Sequence, residues 1–359
     1  MLSTDKNMTE ILTFLKQLIS APGISGYESA VRPLIEKSWE GVTDALSVSR
    51  LGSLHGLQRG TGAKPRPSIL VAAHMDAIGL MVNAVIDGFL RITSIGGIDM
   101  RVLPGQMVTV HGRRNLPGMI VPTPERLLPS GVLGGVVSLE YLMVDVGLLP
   151  EEVTNLVRVG DTISFAQPPI ETAGKTLVGH TLDNRASVAA LTHCLELLRL
   201  RPHVWDVWAV ATVQEETTLG GALTSAFQLR PSLAVAIDVT FGSSPGSPEH
   251  RTYPIGKGPT LIWGPMVHPV LYKKIKKLAK KLDIPLSSEP APRYSGTDTD
   301  AMQVVAEGIP NMVIGIPLRY MHTPVEMVAL EDITRAGRLV AEFIDHLDED
   351  FMDKLTWGD

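Results

Sequence analysis

At 359 residues, with 44% hydrophobic and 19% charged residues, the chain has the composition of an ordinary globular protein and the length of two domains. A net charge of -6 without any basic block argues against nucleic acid as a partner, and no apolar run approaches the roughly 20 residues that span a bilayer. The N-terminus lacks a basic region followed by an apolar one, so no export signal is expected. The lone Cys194, set in an apolar helical pattern, reads as a small buried hydrophobe. These features predict a soluble cytoplasmic protein with no membrane partner.

In chain order, Ile11, Leu12, Phe14, Leu15, Leu18 and Ile19 recur at helical spacing. That helix stops at Ala21-Pro22-Gly23, and a second is expected to open from Ser25-Gly26-Tyr27-Glu28 with Val31, Leu34 and Ile35 inward. Residues 68–73 form a continuous apolar strand of the kind found in sheets covered on both faces. From 80 to about 165 the pattern changes. Short alternating strands (89–92, 107–110, 142–146, 161–165) are broken by Gly96-Gly97, Pro104-Gly105 and Pro117-Gly118, which predicts a small β-barrel-like insertion. Apolar strands return at 207–213, 233–238 and 312–316, alternating with helices over 185–200, 270–283 and 331–347. The expected architecture is a three-layer α/β/α domain built from 1–79 and 166–359, interrupted by a β-rich domain at 80–165. The tail 348–359 is expected to fray.

The most informative residues are Glu215 and Glu216, which follow the buried strand 207–213. Alone, such a pair is a solvated loop. At the end of a buried strand, however, two adjacent carboxylates repel each other and are costly to desolvate unless a cation is near. Further metal-type side chains stand at other element ends. His74 and Asp76 close the first strand, two apart and therefore able to share a face. Asp183 precedes a helix, where by itself it reads as an N-cap. Asp238 ends the strand at 233–238, where by itself it reads as a turn residue. His322 follows Ile314-Gly315-Ile316-Pro317. Ligands of open α/β sheets bind outside the carboxyl ends of the strands, and two His, three Asp and two Glu there make a mixed nitrogen and oxygen set suited to zinc, cobalt or manganese.

The set divides between two divalent ions. Two cations roughly 3.5–4 Å apart need a bridging carboxylate and can clamp an attacking hydroxide and a substrate oxygen. Asp183 suits the bridge, with His74 and Asp238 completing one site and Glu216 and His322 the other. Glu215 is then free as a general base, and Asp76 orients His74 through its other ring nitrogen.

With these residues assembled, the chain resembles the tetrahedral aminopeptidases, co-catalytic metallopeptidases that include glutamyl and deblocking aminopeptidases and members labelled cellulase M or endoglucanase. The resemblance rests on S-A-P-G-I-S-G-Y-E at 20–28, A-A-H-M-D-A-I-G at 72–79, D-N-R at 183–185, Q-E-E at 214–216, A-I-D-V-T at 236–240, S-G-T-D at 295–298 and M-H-T-P-V-E at 321–326, in family order over nearly the whole chain. Thr217-Thr218 stands where relatives carry Val-Gly, and Ser295 where many carry a second glycine.

The resemblance implies metal ligands at His74, Asp183, Glu216, Asp238 and His322, a general base at Glu215 and a histidine-orienting Asp76. It also implies two ions per subunit, most often zinc or cobalt, with manganese also acceptable. The β insertion becomes a dimerisation domain, and six dimers form a dodecamer that trims N-terminal residues from short peptides. The competing enzymes are a carboxypeptidase or deacylase, in which Arg293 or Arg319 would hold a substrate carboxylate, and a glycosidase. Sugar hydrolysis also uses paired carboxylates, but it would leave the histidines and Asp183 without a role.

Overall fold

Strands that are apolar on both faces belong in the middle of a covered sheet, and the chain builds one. The computed structural model describes residues 2–129 and 135–357. Strands β1 (Ala45–Val48), β2 (Leu54–Gln58) and β3 (Ser68–His74) open an eleven-stranded sheet. The chain then leaves it for β4 (Gly79–Ile86), β5 (Phe89–Ile95), β6 (Met107–His111), β7 (Asn115–Pro122), β8 (Leu142–Asp145) and β9 (Thr162–Phe165), which close into a barrel. It returns through β10 (Ile170–Thr172), β11 (Thr176–Gly179), β12 (Asp206–Thr212) and β13 (Leu233–Phe241). The sheet is completed by β14 (Thr260–Trp263), β15 (Ser287–Pro290), β16 (Asn311–Arg319) and β17 (Glu326–Ala329).

The centre of the sheet is four parallel strands in the order β12-β3-β13-β16. Every residue of β3 after Ser68 is buried, and β13 is buried from Leu233 to Asp238. Helices Leu182–Arg199 and Leu330–Asp345 pack on each other and on the sheet, and Gly220–Leu229 and Thr299–Met302 form a second pair against β12, β13 and β16. This is the expected three-layer α/β domain. Each fully buried Leu, Ile or Val is worth about 1.5–3 kcal/mol over its exposed state, so the sheet is the rigid part on which a site can be built.

Inside the insertion, alternation does the sorting. Val108 and Val110 on β6 and Leu116 and Ile120 on β7 point inward and are buried, while Met107 and Met119, next to Val108 and Ile120, are exposed. Closure gives the barrel an internal apolar core of its own, since a closed sheet has an inside.

Two expectations change. The second helix runs over Arg32–Trp39, after a 3-10 turn at Glu28–Ala30, because the Glu28 carboxylate is engaged in accepting from the Gly26 and Gln214 N–H groups. The tail does not fray over 348–357. Phe351 is buried edge-on between Trp205 and Phe343, the Trp205 indole donates to the Asp348 carbonyl at 2.8 Å, and Trp357 lies 4.5 Å from the His268 ring. Gly358 and Asp359 lie outside the described residues. Cys194 is fully buried, and among the described residues no helix is long and apolar enough to cross a membrane.

Candidate metal centre

The carboxyl ends of the central strands bring the acidic and histidine side chains together. His74 is the last residue of β3, and Asp76 lies just beyond it. After β12 the chain turns through Gln214, whose backbone is left-handed (φ 58°), and sets Glu215 and Glu216 on a one-turn helix, Glu215–Thr218. Asp238 sits within β13, and His322 lies three residues past β16, also left-handed at φ 61°. Asp183 starts helix Leu182–Arg199 with non-helical dihedrals (φ -77°, ψ 103°), and its side chain is turned to the two histidines.

The distances describe two overlapping clusters. His74 Nε2 is 3.3 Å from Asp183 Oδ1, 3.8 Å from Asp238 Oδ1 and 3.7 Å from Glu215 Oε2. His322 Nε2 is 3.5 Å from Asp183 Oδ2 and 3.7 Å from Glu216 Oε2. Each trio, His74 with Asp183 and Asp238, and His322 with Asp183 and Glu216, can present one ligand atom per residue around a common point. Asp183 belongs to both, one oxygen toward each. A third combination in the same place, His74 with Glu215 and Glu216, meets the same condition, and a separate trio, Glu342, Asp345 and His346, is different in kind, since Arg201 pairs with both of its carboxylates.

Asp76 does two jobs. Its side-chain oxygens accept the N–H groups of Glu215 (3.0 Å) and Glu216 (3.2 Å), which fixes the turn that carries them. It also engages the Nδ1 edge of His74, through its backbone carbonyl at 3.1 Å and its carboxylate at 3.5 Å. Burial alone would raise the Asp76 pKa, but the His74 contacts and the Glu215 N–H outweigh it and hold it below the ordinary range.

Several groups here were not assigned roles from sequence. The buried Glu326 accepts the Asp183 N–H (3.0 Å) on one oxygen and the His322 N–H (3.1 Å) on the other, so one carboxylate sets two residues of the cluster. Asp298, also buried, accepts from Thr212 Oγ1. Both lie inside motifs legible in the sequence, M-H-T-P-V-E and S-G-T-D, but nothing in the motif says where the side chain points. The barrel contributes as well. In the segment between β5 and β6, a Cβ on Gly97 would sit 3.0 Å from His322 Nδ1, and one on left-handed Gly96 would sit 3.4 Å from Glu216 Oε2. Arg185, fully buried, donates to the carbonyls of Leu18, Ala21 and Met75 and ties the first helix to the exit of β3.

The electrostatics call for a cation. Burial, followed by mutual repulsion, pushes the carboxyls of Glu216 and Asp238 well above their ordinary range. Burial and the surrounding carboxylates do the same to Glu215. Burial works against a charged His74, yet Glu215 together with the contacts to Asp183 and Asp76 drives its pKa upward. Among the described residues no lysine or arginine forms an ion pair with these carboxylates, and Glu216 Oε1 is buried without a partner. Mixed imidazole and carboxylate donors, an orphaned oxygen and uncompensated negative charge fit divalent ions of the zinc, cobalt or manganese type.

A cluster of histidine and carboxylate donors at the carboxyl edge of an α/β sheet marks a class, the metallohydrolases. The comparison with known proteins narrows it: the M42 glutamyl aminopeptidase family matches residues 52–339, and the chain belongs to that family. It is thereby a metal-dependent aminopeptidase. A lysyl aminopeptidase of Pyrococcus furiosus is 34% identical over 341 residues, spanning 93% of this chain and 96% of that protein. Among solved structures, an aminopeptidase from the archaeon Desulfurococcus kamchatkensis superposes with a TM-score of 0.90 at 32% identity, covering 98% of this chain and 99% of its own. A TET1 peptidase of Pyrococcus horikoshii, described as assembling into a tetrahedron or a large octahedral shell, superposes at 0.82 with 30% identity over 94% of this chain and 100% of its own.

Proposed function

We propose that the chain removes single residues from the free N-termini of short peptides, using two divalent ions held by His74, Asp183, Glu216, Asp238 and His322. The observation that carries this reading is the two-sided placement of Asp183, with Oδ1 toward His74 and Oδ2 toward His322. His74 and Asp238 complete one donor set, Glu216 and His322 the other. When bound, such ions polarise a peptide carbonyl and acidify a water. Glu215 takes a proton from the attacking water and returns it to the leaving amine. Asp76 is a positioning residue: it occupies the Nδ1 side of His74, so that Nε2 faces the acidic cluster.

A peptide has room to lie here. A cleft of about 680 Å³ is lined by Met321 and Thr323, the chain neighbours of His322, and by Asp99, with Phe241, Tyr320 and Val325 exposed along it. His322, at 38% side-chain exposure, opens toward solvent while His74 does not.

Glu215→Gln is the direct test. It keeps the shape but cannot accept the proton, so turnover of aminoacyl substrates should fall on the order of 10²–10⁴-fold. Metal content by elemental analysis should be unchanged. Near wild-type turnover would remove Glu215 from its role, and mass spectrometry showing peptides trimmed from the C-terminus would sink the direction of cleavage.

For assembly, we place the barrel at a two-fold contact. Met107 and Met119 are cross-strand partners on its outer wall and both are exposed, a small apolar patch suited to an isologous interface. By likeness to relatives described as a dodecamer and as a tetrahedral shell, six such dimers would form a shell of twelve. Light scattering separates the levels: a monomer overturns both, and a stable dimer overturns only the shell.

A further inference from the structure

The motif S-A-P-G-I-S-G-Y-E at 20–28 supplies none of the clustered donors of the metal centre, yet it is fastened beside them at three points. The Ser25 N–H donates to the Ala77 carbonyl at 3.0 Å, one residue beyond Asp76. The Ser25 and Thr217 hydroxyls meet at 3.0 Å, one residue beyond Glu216. Glu28 Oε1 accepts the Gln214 N–H at 3.2 Å, one residue before Glu215.

The last of these contacts falls where the backbone is strained. Gln214 is left-handed (φ 58°, ψ 31°), a conformation that glycine takes freely and glutamine does not. It leads into Glu215–Thr218, a single turn of helix, too short to persist by itself. The directions of the Glu215 and Glu216 side chains are therefore set by what holds the turn from outside. Two buried carboxylates do so, and they take three successive N–H groups: Glu28 that of Gln214, Asp76 those of Glu215 and Glu216. Asp76 reaches the turn from the exit of β3. Glu28 reaches it from a segment 186 positions earlier in the chain, and the N–H of left-handed Gly26 holds the same oxygen at 2.7 Å. Charged acceptors make the stronger hydrogen bonds, and a buried N–H stripped of its acceptor is costly.

We propose that Glu28 is a positioning residue for the reaction: by accepting the Gln214 N–H it holds the left-handed turn that aims Glu215 at the attacking water and Glu216 at the donor set of His322. This rests on the roles given above to Glu215 and Glu216 and extends them to a residue outside the cluster. A base displaced by a relaxed turn acts after the peptide is bound, so the loss belongs in kcat more than in KM.

Three variants separate this role from mere support of the fold. Glu28→Met keeps the length and removes the acceptor. Glu28→Gln keeps an acceptor oxygen and removes the charge. Glu28→Asp keeps the charge and withdraws the acceptor by one methylene. With zinc in excess and an aminoacyl substrate that wild type turns over, kcat should fall about 10–100-fold in Glu28→Met and Glu28→Asp, with KM within about two- to threefold. Zinc binding to the apo-protein, followed by titration calorimetry, should weaken about tenfold in the same two variants. Glu28→Gln should stay within about threefold of wild type in both measurements. A Glu28→Met protein with wild-type kcat and zinc affinity, whatever its melting temperature, would show support of the fold alone and overturn the proposal. A loss in Glu28→Gln as large as in Glu28→Met overturns it too, since acceptance of the N–H would then not be the cause. If Glu28→Met does not fold, Glu28→Asp decides by the same readings. The zinc titration needs no substrate: a wild type that turns over no aminoacyl substrate sinks the aminopeptidase reading, and the zinc affinities still decide for Glu28.

Discussion

The sheet and the barrel hide apolar strand surface in opposite ways, and the difference decides which of them can carry chemistry. The central strands β3, β12 and β13 are apolar on both faces and rely on helices above and below. Polar side chains are therefore concentrated at the strand ends, where the chain emerges, and His74, Glu215 and Glu216 all lie there. The barrel strands bury one face only and turn the other to solvent, as in the alternation along β7. Their closure removes the sheet edges, so the barrel's contribution to the site is made by a loop, Gly96-Gly97, laid against Glu216 and His322. Ligand-type side chains come from the sheet; the barrel contributes close backbone approach.

The largest effect expected from this division is on Gly97. Gly97→Val introduces a Cβ 3.0 Å from His322 Nδ1 and 3.3 Å from Cε1, with methyl groups beyond it. The imidazole must give way while the barrel interior is untouched. Displacing the surroundings of a ligand typically costs about 10–100-fold in metal affinity or activity. Isothermal titration of the apo-protein with zinc should show it, with thermal stability little changed. Gly118→Ala is the converse arm. Its Cβ would meet Val144 Cγ1 at 2.8 Å in the barrel wall. That overpacking should cost about 1–3 kcal/mol of stability and leave zinc affinity alone. If the two variants behaved alike, the separation of roles would be wrong.

Much of this was legible in sequence because it is periodic or local. Continuous apolar runs gave the covered strands, alternation with Gly and Pro breaks gave the insertion, and the ends of those runs gave His74, Glu215, Glu216, Asp238 and His322 as a set. What escaped depends on partners far along the chain. Glu326 reads as an ordinary strand residue until it is seen to bridge the N–H groups of Asp183 and His322, the former 143 positions away. Phe351 looks like part of a charged tail because its partners, Trp205 and Phe343, come from other elements. Glu289 stands in an unremarkable S-S-E-P, and only the placing of β15 beyond β14 lets it accept from Thr240 and Thr260 on two other strands. The barrel, by contrast, was legible: short alternating strands with frequent Gly and Pro breaks pointed to a barrel-like insertion, and β4 to β9 do close.

The smallest effect separates the two regions by pH. His55, on β2 of the sheet, is fully buried; its Nε2 meets Ser225 Oγ at 2.9 Å, its Nδ1 has no partner, and its ring stands edge-on to Trp208. Burial disfavours the imidazolium and lowers its pKa to about 4, from an ordinary 6.5. In this case the folded value is the depressed one, so the unfolded chain takes up a proton that the fold refuses. The contribution of His55 is therefore fully present above pH 6.5, declines as pH falls from 6.5 toward 4, and levels off below that. At pH 5.5 the loss is about 1.4 kcal/mol. The carboxylates of the metal centre titrate too, so the quantity to measure is a difference. Urea denaturation of wild type and His55→Gln, both loaded with the same metal, should give stabilities that converge by about that amount between pH 7.5 and 5.5. Gln can still reach Ser225 and carries no titrating group. Parallel curves over that range would mean that His55 is already protonated in the fold or stays neutral in the unfolded chain. The covered sheet would then not impose the desolvation by which it is distinguished from the barrel.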